Sequence, residues 1–334
     1  MKHIRLLYCL IIMTILLSAC DREMSSPVPT KITIGVSMAS MKEDVFHFMK
    51  EAMYDNKESN KTEIIWKDAK KDQDKQNKDV DELIRKKVDG IIINPVNSQK
   101  SASLVKKIKQ ANIPVIALDR LIYNVKLDAY IEANNFEVGI LQANYLVEQL
   151  KHKGKIMILK GDKNNNTAYE ITQGNKEIFK KEANITIVAE TWHKGWSPEL
   201  AEKTVRSILN KHPDIKGIIA NNSNMIMAAV KVLKEKNLTD KIITIGADAN
   251  KEACLAIARG EHDADVDKMP YIQGLTAFKI TTLILRGRPW LFDTKIKNGD
   301  YIIATKITPV DLIDKYNIVN LEERWPELKK IIYK

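Results

Sequence analysis

Short apolar runs alternate with helix-period segments along almost the whole chain, and no other feature limits the fold so tightly. Lys31–Val36, Glu63–Lys67, Ile91–Asn94 and Val115–Arg120 read as strands. Asp44–Asn56, Asp72–Lys87 and a segment from Asn97 or Ser98 to about Ala111 read as the helices between them. Serial strand–helix units of this kind build a parallel sheet covered by helices. The pattern restarts after Ala129–Asn134. Helices are expected at Phe136–Leu150, Tyr169–Lys181, Pro198–Asn210, Ser223–Lys236 and Lys251–Arg259. Strands are expected at Gly154–Leu159, Thr186–Trp192, Gly217–Ala220 and Ile242–Ile245. Two runs of similar size imply two similar lobes. The last part does not extend the second run: Ala264–Val266 is a short strand, Pro270–Leu285 a helix and Asp300–Ala304 a strand. A chain that returns to the first lobe and then to the second explains this.

The N-terminus has a different origin. Lys2, His3 and Arg5 precede the apolar run Leu6–Leu17, which is too short for a comfortable membrane span. Leu17-Ser18-Ala19-Cys20 has the form of a bacterial lipobox. Residues 1–19 are therefore expected to be a lipoprotein signal peptide, with lipid on Cys20 and a polar tether over residues 20–30. The rest of the chain would lie outside the cytoplasm, anchored to the cell membrane. It still exceeds one hydrophobic core, which favours two domains. Of three cysteines, only Cys254 would remain without lipid, in a helix-like run where a small buried residue fits. The net charge of +10 is scattered over helix faces, as in Lys106–Lys109 and Lys231–Lys236, and reads as solvated surface. Export excludes nucleic acid as a partner.

Enzyme signatures are missing from the sequence. There is no G-x-G-x-x-G and no Walker loop, and Gly35-Val36-Ser37-Met38-Ala39 lacks the second glycine of a nucleophile elbow. Asp263, Asp265 and Asp267 alternate along a strand, but Gly274 stands where a calcium loop needs a distal Glu. No metal and no cofactor are expected. What recurs is a polar end on each strand: Asp119-Arg120, Asn164-Asn165-Asn166-Thr167, Asn221-Asn222-Ser223 and Asp248. Any one of these is an ordinary helix cap. Together they describe a cleft between two lobes, because ligands of open α/β sheets bind beyond the carboxyl ends of the strands. Trp196, in a polar loop, and Phe46, at the start of a helix, add flat apolar faces. A pyranose has apolar C–H faces and a belt of hydroxyls, which aromatic rings and planar Asp, Asn and Arg groups match.

With these residues assembled, the chain resembles the type I periplasmic sugar-binding proteins, and among them the xylose-binding branch. The resemblance runs from about Lys31 to Asp314. It rests on Ile34-Gly35, Asn94-Pro95-Val96-Asn97-Ser98-Gln99, Ala117-Leu118-Asp119-Arg120-Leu121-Ile122, Tyr130-Ile131-Glu132-Ala133-Asn134-Asn135, Thr191 through Glu199, Ala220-Asn221-Asn222 and Gly246-Ala247-Asp248-Ala249. The resemblance implies an α/β fold of two doubly wound parallel-sheet lobes joined by a multi-strand hinge. The N-terminal lobe would comprise residues 31–133 and 268–296, and the C-terminal lobe residues 134–267 and 297–331. The hinge is placed near Ala133–Asn135, Asp267 and Asn298. The implied ligand site comprises Lys42, Phe46, Asp119, Arg120, Asn165, Asn166, Thr167, Trp196, Asn222, Asp248 and Lys268. Lys42 stands where that family has Arg, Phe46 where it has Trp, Asn165 where it has Asp, and Thr167 where it has Asn.

The implied function is a tethered receptor that closes on a pentose, most simply D-xylose, and presents it to an ABC permease. The alternative is a sensing subunit that binds the ectodomain of a sensor histidine kinase. An exported hydrolase or isomerase would need Asp119 and Asp248 as its acid–base pair.

Overall fold

The computed structural model describes residues 31–333. The expected signal peptide, Cys20 and the tether lie outside the described residues. From Ile32 onward the chain forms one compact unit built on two sheets.

The first sheet has seven strands in the order β11-β12-β5-β4-β3-β1-β2. These are β1 (Ile32–Met38), β2 (Thr62–Asp68), β3 (Gly90–Ile93), β4 (Val115–Leu118), β5 (Ala129–Ala133), β11 (Thr294–Asn298) and β12 (Tyr301–Thr308). All neighbours are parallel except β11 against β12. The second sheet has six strands in the order β13-β10-β9-β8-β6-β7. They are β6 (Gly154–Lys160), β7 (Ile185–Trp192), β8 (Ile215–Ala220), β9 (Ile243–Ala247), β10 (Ala264–Asp267) and β13 (Asp311–Asp314), with only β13 antiparallel. Strands covered on both faces have no polar side to present, and every residue of β3, β4 and β5 is buried.

Local chemistry fixes where the helices begin. Asp72 caps α2 (Gln73–Arg85) by accepting from the amides of Asp74 and Lys75. Ser197 caps α6 (Pro198–Lys211), whose first residue is the proline that position favours. Asn222 and Asn250 cap α7 (Ser223–Glu235) and α8 (Lys251–Ala258) in the same way. The segment after Asn97 starts later than expected. Asn97 Oδ1 accepts from the amides of Gln99 and Lys100 and makes a turn, and α3 spans only Ala102–Gln110. In the first lobe α1 (Asp44–Lys57) and α9 (Pro270–Leu285) pack on one face of the sheet, through Phe46, Met49 and Met53 against Ala277, Phe278 and Ile280. Helices α2 and α3 cover the other face.

The expected division of the C-terminal segment needs correction. β12 pairs with β5 through Thr305↔Tyr130 to Thr308↔Ala133, so residues 297–308 belong to the first lobe. The chain leaves the first sheet after Ala133, the second after Asp267, and the first again between Thr308 and Asp311. Asn298 is no hinge. Its side chain accepts from the Asn124 amide and donates to the carbonyls of Ile122 and Val125, pinning a loop of the first lobe. The three aspartates near β10 are committed to donors of the protein itself. Asp263 accepts from the Thr244 amide, Asp265 from the Ala249 amide, and Asp267 from both ends of the Arg324 guanidinium. Among the described residues no cluster could hold a metal ion. Cys254 is buried and donates to the Ala249 carbonyl.

In the second lobe α4 (Asn135–Gln149) and α5 (Asn166–Phe179) approach at backbone distance. A Cβ on Gly139 would lie 2.0 Å from the Ile171 carbonyl, and one on Gly174 2.1 Å from that of Phe136. Alanine is the better helix former elsewhere, by about 1 kcal/mol. Here Gly139→Ala should instead destabilise the protein by about 1–3 kcal/mol, because two helix backbones must separate. A lowered urea midpoint at unchanged slope is the expected reading.

Candidate functional site

The carboxyl ends of both sheets face one cavity of about 340 Å³, within the range of small-molecule sites. The chain reaches it immediately after β4. Asp119 has φ 66°, a left-handed conformation that turns its carboxylate inward. Both lobes hold this turn: the Asp119 carbonyl accepts from Tyr130 Oη on β5 and from Thr167 Oγ1 on α5, each at 3.2 Å. Asn94 Nδ2 donates to Asp119 Oδ2 at 3.2 Å. Arg120 lies beside the same carboxylate, donates to the Pro95 carbonyl and sits over the Phe46 ring, 5.9 Å from its centroid.

Asp248 occupies the corresponding place after β9, at φ 101°. Between the two carboxylates stands Lys268, just past β10 where the chain crosses lobes. Its Nζ is 3.4 Å from Asp119 Oδ1 and 3.7 Å from Asp248 Oδ1. Burial pushes Asp248 up to about 7, although Lys268 opposes the shift. Burial alone would lower Lys268, but Asp119 and Asp248 outweigh it and hold the ammonium above its usual value.

The aromatic wall comes from a strained loop. Gly195 and Trp196 are both left-handed, at φ 64° and 59°. The Gly195 amide donates to Asp162 Oδ2 at 2.5 Å. His193, which burial shifts toward its neutral form, bridges the Lys160 carbonyl and Thr204 Oγ1. Together they hold the indole of Trp196 against Gly161, where any Cβ would fall 2.3–2.5 Å from the ring. Only glycine allows the ring to sit there.

Of the expected site residues, Phe46, Asp119, Arg120, Asn165, Thr167, Trp196, Asn222, Asp248 and Lys268 line the cavity. Two do not. Lys42 is exposed on the turn before α1 and contributes its amide to Ser40 Oγ. Asn166 is buried between the lobes, where it accepts from the Leu121 amide at 2.8 Å and donates to Tyr130 Oη at 2.8 Å. Phe46 supports Arg120 from below and is only 3% exposed. Sequence reasoning missed Glu43, Lys71, Asp162 and Gln273, and named Asn221 only among the polar strand ends; all five are in the wall. The Glu43–Lys71 ion pair, at 2.6 Å, closes one side. Burial favours the neutral acid there, yet Lys71, Ser40 and Arg120 together keep Glu43 below its usual value. Asn165 Oδ1, Trp196 Nε1, Asn221 Nδ2 and both amide atoms of Gln273 are buried without a partner in the protein. Unspent hydrogen bonds on four wall residues mark the place where a polar ligand or water is needed.

A polar cavity closed from both sides by two doubly wound lobes defines a ligand-binding protein. The chain belongs to the periplasmic binding protein domain family, whose model matches residues 34–289. It is 27% identical over 315 residues to the D-xylose-binding periplasmic protein of Escherichia coli, covering 92% of this chain and 95% of that one. It is 25% identical over 280 residues to the ribose import binding protein RbsB of Bacillus subtilis, covering 82% and 90%. Among solved structures, an ABC transporter solute binding protein from Bacillus halodurans with bound myo-inositol superposes with a TM-score of 0.78 at 25% identity, covering 90% of this chain and all of that one. These relatives are binding proteins, and so is this chain; it is not an enzyme. Its family places it outside the cytoplasm. Among the described residues no helix is long and apolar enough to cross a membrane.

Lys268 is a cation shared by Asp119 and Asp248, so its removal has a defined pH signature. A lysine raised above its unfolded value stabilises the fold below that value and stops doing so as pH rises through the folded one. Asp248 works in the opposite sense: its raised value means that stability falls as pH climbs from about 4 toward 7. Lys268→Met should cost about 3 kcal/mol at pH 8, and less at pH 5, where Asp248 is protonated. Urea unfolding at the two pH values measures the difference.

Proposed function

We propose that the protein is a membrane-tethered receptor for a monosaccharide, D-xylose above others, which closes between two lobes and delivers its ligand to an ABC permease. The observation that carries this reading is the cavity itself. Its size suits one small molecule, and the groups around it are Asp119 and Arg120 from the first lobe, Asn165, Asn222 and Asp248 from the second, and Lys268 between them. Carboxylates, amides and a guanidinium bind neighbouring hydroxyls in pairs, and the face of Trp196 suits the apolar side of a sugar ring. Both lobes gain bonds to one molecule, so ligand favours closure. The relatives support a small polyol or sugar: their names and titles give D-xylose, ribose and myo-inositol. The lipobox ending at Cys20 supports the tether.

Within this reading Phe46 braces Arg120, Thr167 holds the Asp119 turn, and Asn166 acts between the lobes. Asn165 in place of an acid makes the second lobe less negative toward the ligand hydroxyls. Lys42 has no part in binding.

Calorimetry at pH 7.5 against D-xylose, D-ribose, L-arabinose, D-glucose and myo-inositol tests the assignment. D-xylose is expected to bind most tightly. Trp196→Ala should weaken it at least tenfold, roughly 1.4 kcal/mol. Asp119→Asn should weaken it about 10- to 150-fold, the equivalent of 1.5–3 kcal/mol for a charged hydrogen bond. Indifference of xylose binding to both substitutions would reject the site. Co-purification of the xylose-loaded protein with a permease supports transport; co-purification with a histidine kinase would replace that part of the proposal with sensing.

A further inference from the structure

A second buried polar cluster lies beside the cavity, at the first crossing between lobes. Glu132 ends β5 in the first lobe and is 8% exposed. Glu170 lies on α5 in the second lobe. Glu170 is near enough to Glu132 for its charge to disfavour ionisation there. They also share one donor, since Asn135 Nδ2 lies 3.2 Å from Glu132 Oε2 and 2.9 Å from Glu170 Oε2. Tyr130 Oη is 2.9 Å from Glu132 Oε2, and Asn166 Nδ2 is 3.1 Å from Glu170 Oε1. No lysine or arginine pairs with either acid among the described residues. The titratable groups facing them are Tyr130 on the same strand, Tyr123 from the loop after β4 and Tyr169 beside Glu170, all phenols without charge near neutrality. On β12, Lys306 is committed to Asp293.

A buried carboxyl beside a second acid, with no cation to pair it, favours its neutral form. We propose that Glu132 holds a proton at the lobe boundary, beside Glu170, and that this proton positions the Asp119–Arg120 turn for ligand. The route is a chain of hydrogen bonds. Tyr130 has a single hydrogen and two acceptors, the Glu132 carboxyl and the Asp119 carbonyl. A carboxylate competes for that hydrogen far better than a neutral acid does. With the proton present, Tyr130 can donate to Asp119, and Asn166 joins Tyr130, Glu170 and the Leu121 amide in one clasp. With the proton lost, Tyr130 turns to Glu132, Asp119 keeps only Thr167, and the two acids repel the lobes apart. Burial and the neighbouring Glu170 push Glu132 up to about 9, so the proton is held through neutrality and released in mild alkali. The role of these residues is to position the turn; neither lines the cavity.

The part concerning ligand rests on the sugar-receptor reading, so the experiment has one arm without sugar. Thermal unfolding of wild type, Glu132→Gln and Glu170→Gln is followed from pH 5 to pH 9.5. A carboxyl with a raised folded value makes stability fall as pH rises from about 4.5 to about 9. Wild-type Tm should therefore drop across this range by at least about 3 °C more than that of Glu132→Gln, whose amide hydrogen replaces the Glu132 proton. Parallel pH profiles for wild type and both variants would overturn the proton on Glu132. In the second arm, D-xylose affinity of wild type should fall at least tenfold between pH 7 and 9.5, and that of Glu132→Gln less than threefold. Equal losses in both would overturn the link to the Asp119 turn. A wild type that binds no xylose at any pH would reject the sugar reading, while the unfolding arm still decides the proton.

Discussion

Lys268 stands at the meeting point of everything else in this molecule. A buried ammonium is tolerable only with anionic company, and its company comes from different lobes: Asp119 follows β4 and Asp248 follows β9. Asp119 also has Arg120 beside it, whereas Lys268 is the cation that opposes the effect of burial on Asp248. The crossing segment, the two strand ends and the cavity between them are therefore one electrostatic arrangement. A ligand entering there meets charges already fixed in place, so little ordering is left for it to cause.

Around this centre the same turn is held from both sides. The Asp119 carbonyl accepts from one lobe through Tyr130 and from the other through Thr167, while Asn166 reaches back to the Leu121 amide. Further out, the Lys251 amide donates to Asp44 and the rings of Phe48 and Trp325 meet edge to face at 5.1 Å. Lobe contact and ligand site thus share residues. A receptor whose partner reads closure needs this overlap, because a ligand acts on the lobe equilibrium only through groups that differ between open and closed forms.

Much of the fold was legible because strands covered on both faces are mostly apolar, Glu132 in β5 being an exception. Val115–Leu118 and Gly90–Ile93 have no other reading, and the helix starts at Asp72, Ser197 and Asn222 follow from side chains that cap them. Most of the cavity wall was legible for a related reason: a polar residue at the end of an apolar run is visible. Asn166 and Lys42, which the family resemblance placed in the site, lie off the cavity wall, because resemblance at a position does not tell which way a side chain points. Asn166 faces the lobe seam, one residue from Asn165 in the wall. Gln273 and Glu43 were invisible because they reach the cavity from helix α9 and from the position just before α1, where a Gln or Glu is ordinary.

The amino-acid sequence alone determined the two βα runs, the strand ends that carry Asp119, Arg120, Asn222 and Asp248, and the aromatic loop of Trp196. Each depends on neighbours close in the chain: apolar continuity, a cap, a glycine before a ring. Only the tertiary structure decided that β12 joins the first sheet, that Asn298 pins a loop, and that Glu132 meets Glu170. Those are pairings across 38 to 176 residues, and local preference carries no information about which distant edge or carboxyl a segment will find.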